Sequence, residues 1–518
     1  MNEHNDSDPC CASAHDGPPG GRSRRDFLRI GASLVAGAAA GQALPEANAT
    51  ANDADEVLER MERAKGDPDR RVLLRGGVVV TMDPVVGDFE RADVLIEGSK
   101  IAAVAPNLGD VAGAYEIDAT NTIVMPGFID THHHLYQSVF RNVISNGTYG
   151  GGVRRNPNSD YLLEVQGILT PLYRPQDAYA GELVARLGQL SMGVTTTIDM
   201  SQVSHTPAHT DACIAALRDS GCRTVFAYSA GTPSARGSAY AFPQDIVRLR
   251  KQYFSTEDQL LTLFMNGGVD PALLALARSI GAPSIGHFSQ AVGTLIAPYA
   301  AGRLGPDITY VHCNRMLDQE FQIMADTGGH ISIAGPIEMT MGHGVPVYQQ
   351  SLDHGLKPSL SVDVEVTMTS DSFTQMRTAL CLQRMLIHSR AHAGETNLPA
   401  LLTTRDAITF ATINGAIAGH LDSKVGTLTP GKEADVIMLA TDLITTFPVC
   451  NAYGAVVVTM DTSNVKNVFI AGKLMKWNYR LVDVDVKAIQ KLVTASRDFI
   501  LAETGWPTSI LDTSLPGH

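Results

Sequence analysis

His132 and His134 are the residues with which any chemistry in this chain begins. They stand two apart at the end of Pro126-Gly-Phe-Ile-Asp-Thr-His-His-His134, directly after the apolar run Thr122–Met125. An apolar, β-branched run that crosses Pro-Gly and ends in histidines reads as a buried strand with imidazoles at its exit. Successive side chains on a strand alternate faces, so His132 and His134 share one face and His133 takes the other. Two imidazoles about 7 Å apart along the backbone can converge on one divalent cation, for which neutral imidazole is a common ligand. A chance cluster of histidines is the bland alternative, and the Gly-Phe-Ile-Asp-Thr lead-in speaks against it. Three further candidates, His287, His312 and Asp363, fall at the ends of later apolar runs. Singly, each fits a satisfied buried polar residue; five such groups at strand exits suggest one centre.

These side chains need a scaffold that brings distant strand ends together. From residue 126 to 421, apolar strands alternate with helical stretches, the pattern of a (β/α)8 TIM barrel, whose functional groups gather at the carboxyl ends of its strands. The strand ends are the His-rich segment, Thr195–Met200, Val225–Tyr228, Leu261–Met265, Pro283–Gln290, Ile308–His312, His330–Gly335 and Pro358–Asp363. Short β-rich runs lie on both sides, in residues 70–125 and 422–482, among them Ala455–Thr459. They predict a composite β-sandwich domain assembled from both ends of an α/β chain. Residues 483–518 form a C-terminal helix and tail, with apolar residues at helical spacing from Val486 to Leu501.

Composition narrows the class of partner. The 518 residues are 44% hydrophobic and 18% charged, ordinary globular values, and the formal net charge of −14 argues against nucleic acid or an anionic membrane. Of seven cysteines, Cys10 and Cys11 lie in the leader and five are scattered, so free thiols are expected rather than disulfides. Residues 1–49 contain Arg24-Arg25-Asp-Phe-Leu-Arg29, a weakly apolar run and Ala47-Asn-Ala49. This order resembles a twin-arginine signal, which implies the twin-arginine export machinery as a partner and an exported, periplasmic or extracellular location. Residues 50–69 read as a charged linker. No later segment supplies about 20 uncharged apolar residues, so no stable membrane insertion is expected.

Nearly all of residues 71–480 resembles the amidohydrolase superfamily, and within it the branch of guanine, cytosine and S-adenosylhomocysteine-type deaminases and triazine hydrolases. The resemblance rests on Pro126–His134, Ser191-Met-Gly-Val-Thr-Thr-Thr-Ile-Asp199, Val311-His-Cys-Asn314, Gly342-His-Gly-Val-Pro346 and Gly426-Thr-Leu-Thr-Pro-Gly-Lys-Glu-Ala-Asp-Val436, in that order. It implies His132, His134, His287 and Asp363 as metal ligands, and His312 as the residue that orients water or polarises substrate. The fourth strand holds no lysine of the kind that bridges two metals in some members, which implies one divalent metal per chain. Three imidazoles and a carboxylate suit Zn2+, with Fe2+ or Mn2+ as substitutes.

The resemblance further implies hydrolysis of a C–N bond of a small molecule, in an amide, cyclic amide or amino-heterocycle, by metal-activated water, with Asp363 and His312 as the catalytic residues. One position departs from the pattern. Three residues after His287, where deaminases of this branch carry a glutamate that shuttles protons, stands Gln290, and a carboxamide cannot exchange a proton at neutral pH. The resemblance to the wider superfamily implies that Asp363 accepts the proton of water and passes it to the leaving amine. Tyr136, Gln137, Arg141, Gln290 and His343 are the expected substrate contacts; for Arg141 a structural role is the alternative, and for His343 a loop cap. Glu338 and Glu365 read as supporting carboxylates, and the glycine-rich segment 147–152 with Arg154-Arg155 as a lid. Two rival functions keep the same scaffold: a non-hydrolytic metal enzyme such as a decarboxylase, hydratase or iron-dependent oxygenase, and a non-catalytic metal- or ligand-binding relative. Relatives of this kind commonly form homo-oligomers, for which the C-terminal helix is a candidate contact.

Overall fold

A computed structural model describes residues 58, 59, 61, 67, 69–150, 160–232, 241–289, 292–506 and 510. The signal-like segment 1–49, the lid arginines and Gln290 lie outside these residues. Two sheets organise the described chain. Nine strands, β1 (Arg71–Val79), β2 (Phe89–Glu97), β3 (Lys100–Ala105), β4 (Ala114–Asp118), β5 (Thr122–Pro126), β14 (Val436–Ala440), β15 (Val465–Ile470), β16 (Lys473–Trp477) and β17 (Arg480–Leu481), make one mixed sheet. Its two halves join where β5 pairs antiparallel with β14, from Thr122↔Ala440 to Pro126↔Val436. The domain built from both ends of the chain is thus one continuous hydrogen-bonded sheet.

Eight parallel strands form the barrel: β6 (Phe128–His133), β7 (Val194–Ser201), β8 (Arg223–Tyr228), β9 (Leu261–Asn266), β10 (Ser284–His287), β11 (Ile308–Val311), β12 (His330–Ile333) and β13 (Pro358–Leu360). Period-two residues Ile129, Ile198, Met200, Val225, Ala227, Phe264, Ile285 and Val311 pack with Ala416, Leu421 and Val425 in one apolar cluster, a filled interior rather than a pore. Gly127, at the hinge between the two sheets, is required by space, since a Cβ there would lie 2.2 Å from Thr195 Cγ2. A buried ion pair ties the two sheets together: Arg223 on β8 donates through Nε to Asp435 Oδ2 at 2.8 Å and through Nη2 to Glu433. The motif Gly431-Lys-Glu-Ala-Asp435 thereby acquires a structural reason.

One expected strand is a helix. Ala455–Thr459, β-branched and apolar, forms a π-helical turn. Arg377, from the helix Ser372–His392, donates to Val457 O at 3.2 Å and Met460 O at 2.8 Å, satisfying carbonyls that a sheet neighbour would otherwise take. The C-terminal helix spans Val486–Thr504 and packs Leu492, Val493, Phe499, Ile500 and Leu501 against the barrel. Cys213, Cys222, Cys313, Cys381 and Cys450 are free thiols. No helix among the described residues is long and apolar enough to cross a membrane.

Candidate metal centre and active site

The barrel closes at its own chemistry. Strand β6 meets the chain beyond β13 through a parallel bridge between His133 and Asp363, in which Asp363 N donates to His132 O at 2.9 Å and His134 N to Asp363 O at 2.8 Å. Every residue of β6 is buried, so its polar side chains need partners inside the protein. Asp130 accepts the N–H of Val362 at 3.0 Å and that of Gln189 Nε2 at 2.7 Å, and lies 2.9 Å from His133 Nδ1. His133 is therefore spent on packing, away from its two neighbours.

His132, His134, His287 and Asp363 each offer one donor atom, and these atoms all lie within 4.8 Å of one another. His134 Nε2 is 3.3 Å from His287 Nε2. That is the ligand-to-ligand edge, about 3.3 Å, of a tetrahedron with metal–nitrogen bonds of about 2.0–2.1 Å. Asp363 Oδ1 is 3.1 Å from His132 Nε2 and 3.6 Å from His134 Nε2. His134 donates from Nδ1 to Met200 O at 2.8 Å, which leaves the Nε2 lone pair facing the centre. Burial holds His132 and His134 down at about 4 and His287 well below its ordinary value. Burial pushes the Asp363 carboxyl up, but the hydrogen bond to His132 and the charges of His312, His132 and His134 outweigh it and keep the carboxylate well below its usual range. Neutral imidazoles beside an ionised carboxylate are the protonation states a divalent metal requires, so the residues fit the ion. Strand β9, Leu-Thr-Leu-Phe-Met-Asn, offers no lysine.

His312 stands on the far side of the same carboxylate, its Nε2 3.8 Å from Asp363 Oδ2. Its Nδ1 lies 3.0 Å from Glu338 Oε1, and Glu338 also accepts from Ala334 N and Asn314 Nδ2, both at 2.8 Å. Burial lowers the His312 pKa, yet the Glu338 hydrogen bond and the nearby carboxylates raise it overall above 6.5. His312 and Asp363 both adopt left-handed backbone, φ 71° and 69°. For non-glycine residues this costs of the order of 1–3 kcal/mol and concentrates at functional sites.

These groups floor a cavity of about 250 Å³. His343 stacks on His312 with centroids 4.8 Å apart and planes 13° apart, and Tyr149 lies 4.5 Å from His343. Tyr161, Gln166 and Gln202 continue the wall. No lysine or arginine lines it among the described residues.

Three of the expected substrate contacts lie elsewhere. Gln137 is fully buried behind the wall, donating from Nε2 to Tyr136 OH at 3.0 Å and Tyr161 OH at 2.8 Å; Tyr136 sits beside it, its hydroxyl pushed up to about 12 by burial. They steady Tyr161 instead of facing the cavity, because the turn Leu135–Phe140 folds under the π-helical segment Tyr161–Leu169. Arg141 turns outward to Glu365, with Nε 2.8 Å from Oε2, and borders a separate surface groove. Glu365 is thereby committed to structure. Tyr161 and Gln166 were missed because they meet on a π-helix, Gln166 Nε2 donating to Tyr161 OH at 2.8 Å. A spacing of five shares no face in either an α-helix or a strand.

Comparisons with known proteins agree with this fold. The chain is 25% identical over 452 residues to the 5'-deoxyadenosine deaminase of Methanosarcina mazei, covering 83% of this chain and 98% of that one. It is 23% identical over 451 residues to the 5-methylthioadenosine/S-adenosylhomocysteine deaminase of Syntrophobacter fumaroxidans, covering 82% and 96%. Among solved structures, a zinc-bound adenosine deaminase from Xanthomonas campestris shares the fold at a TM-score of 0.68, 19% identity and 83% and 98% coverage. A mutant atrazine chlorohydrolase from Arthrobacter aurescens TC1, complexed with zinc and atraton, does so at 0.69, 21% identity and 82% and 100% coverage. The sequence profile of the amidohydrolase family matches residues 123–475. With a His/Asp metal site at the mouth of its barrel, this chain belongs to the amidohydrolase family, as a metal-dependent hydrolase of non-peptide C–N bonds.

Proposed function

We propose that the enzyme hydrolyses the exocyclic C–N bond of a flat, uncharged amino-heterocycle, releasing ammonia, with one Zn2+ per chain held by His132, His134, His287 and Asp363. The observation that carries the reading is the convergence of those four donors beneath an aromatic wall, His312, His343 and Tyr149, beside the amides of Gln166 and Gln202 and without a cationic side chain among the described lining residues. Stacked rings suit a planar π-system and side-chain amides suit its hydrogen-bonding edge. The deaminase relatives, named for adenosine derivatives, support the same class.

A divalent metal at these ligands supplies Lewis acidity and brings the pKa of water from about 15.7 towards about 7. The chain's own groups do the rest. Asp363, ionised, takes the proton of the attacking water and returns it to the leaving amine. His312, fixed by Glu338, donates from Nε2 to the charge that develops on the substrate. The experiment is ammonia release by the purified, metal-analysed protein on a panel of aminopurine nucleosides, aminotriazines and cyclic amides, before and after chelation. No ammonia from any amino-heterocycle would overturn the reading.

A second reading, ring opening of a cyclic amide, draws on Gln290. Such a reaction needs no separate acid to protonate an aromatic ring nitrogen, the task a carboxamide cannot perform. The same panel separates the two, since ring opening consumes substrate without free ammonia.

The sequence of residues 1–49 supports export through the twin-arginine machinery to the periplasm or beyond, testable by locating a reporter fused after residue 49. Homo-oligomerisation is proposed from the habit of relatives, and light scattering on the purified protein tests it.

A further inference from the structure

Two side-chain amides decide what one wall of the cavity has to offer. Gln137 Nε2 gives one hydrogen to Tyr136 OH at 3.0 Å and the other to Tyr161 OH at 2.8 Å. Gln166 Nε2 gives one hydrogen to the same Tyr161 oxygen at 2.8 Å and the other to Gln202 Oε1 at 3.0 Å. The orientation of Gln166 is set from behind, because its Oε1 takes the hydrogen of Tyr136 OH at 3.4 Å. Both amide nitrogens have then spent their two hydrogens.

Tyr161 therefore accepts twice. A hydroxyl oxygen has two lone pairs and one hydrogen; the pairs are filled by amides, and the hydrogen has no acceptor among the described residues. Tyr161 is only 6% exposed and lines the cavity, and a buried donor is costly to leave unpaired. Burial, with the charge of Asp363 in support, pushes its pKa well above the ordinary tyrosine value, so the hydrogen stays on the oxygen. Gln202 repeats the pattern on the same wall. Its Oε1 is taken by Gln166, which leaves the Nε2 hydrogens without an acceptor among the described residues. One nitrogen, Gln166 Nε2, touches both Tyr161 OH and Gln202 Oε1, so the two free donors lie side by side.

We propose that Tyr161 OH and Gln202 Nε2 form a recognition edge made only of donors, which selects amino-heterocycles that present a carbonyl oxygen to it and rejects those that present an amino group. A carbonyl oxygen has two lone pairs for two neighbouring donors, whereas an amino group sets hydrogen against hydrogen and strands both donors in a buried wall. The network behind the wall makes the edge rigid, since neither amide can turn over without losing bonds to Tyr136, Tyr161 and Gln202. The proposal rests on the reading that this cavity binds an amino-heterocycle, and it names the polarity of the edge that such a substrate must carry.

The test compares matched compounds that differ in one carbonyl oxygen exchanged for an amino group, isoguanosine against diaminopurine riboside and ammeline against melamine. Ammonia release is followed with the metal-loaded enzyme, and binding by calorimetry. The oxo member of a pair should bind about 10- to 100-fold more tightly and show a KM lower by the same factor at similar kcat. Tyr161→Phe should raise KM for the oxo member about tenfold or more and leave the amino member within about twofold, so the preference collapses. Gln202→Glu, which puts an acceptor where a donor stood, should move the preference towards the amino member. A merely structural role for Tyr161 would weaken both members alike and leave their ratio where it was. Equal binding of the two members, a preference for the amino member in the parent protein, or a preference unmoved in Tyr161→Phe overturns the donor edge and leaves the ammonia-releasing reading intact. Preferential binding of the oxo members with no ammonia from any compound supports the edge and overturns the reaction, while neither binding nor ammonia overturns both.

Discussion

Asp363 touches His132 twice: its backbone N–H donates to the His132 carbonyl at 2.9 Å, and its Oδ1 lies 3.1 Å from the ring Nε2 of the same residue. The seam that closes the barrel and the contact between two metal-site residues are therefore one feature. Closure sets the distance between the first strand and the last, so the spacing of the ligands is inherited from main-chain hydrogen bonds and does not depend on long, mobile side chains.

Asp363→Asn should separate these two contributions. The main-chain bonds survive the change, so far-ultraviolet circular dichroism should stay as in the parent. The negative charge and the proton-accepting oxygen are lost, and kcat should fall by at least about a thousandfold, within the range for removing a positioned acid–base group. Substantial activity with the metal still bound would count against Asp363 as the proton carrier.

Glu338→Gln addresses a positioning residue. The carboxylate holds His312 and helps to raise its pKa above 6.5, so the imidazole keeps its proton to higher pH than it would alone. Without that charge the proton leaves at lower pH, and the alkaline limb of kcat/KM should move downward, with a loss of about 10- to 100-fold near neutrality. A pH profile that drops uniformly without moving its limb would show Glu338 to be merely structural.

Two buried carboxyls outside the cavity predict how stability depends on pH. Glu182 and Asp199 are both fully buried, and burial raises Asp199 from 3.8 to about 7 and Glu182 well above 4.5. Folded-state values above the unfolded ones mean that the folded chain binds more protons. This contribution is complete below about pH 4 and is lost as pH rises through about 7, a change of the order of a few kcal/mol. Thermal melts should show falling Tm between pH 5 and 8 at constant metal, and Glu182→Gln, which cannot ionise, should flatten that slope.

Arg223→Met should destabilise by about 3–5 kcal/mol, because it strands the buried carboxylate of Asp435 beside β8 without its cation and leaves Glu433 only the more distant Lys100, 3.6 Å away. Denaturant unfolding measures the loss. The metal content of the folded fraction should not change, since this pair lies between the two sheets and not among the ligands.

The sequence by itself determined the barrel and the strand exits at which its chemistry stands. Runs such as Val225–Tyr228 and Ile308–Val311 are continuous and largely apolar because parallel strands are covered on both faces, and that signal is local. Polar residues at the ends of such runs, His132, His134, His287, His312 and Asp363, were legible for the same reason. What only the tertiary structure decided lies in side chains whose direction is set by remote partners. Arg141 turned to Glu365, 224 positions away, and Gln137 went behind the wall to hold Tyr161. Ala455–Thr459 coiled because Arg377 reached its carbonyls, and Tyr161 and Gln166 met on a helix whose period no residue pattern announces. Local periodicity encodes which face is buried; it carries no record of which distant group waits there to receive a hydrogen bond.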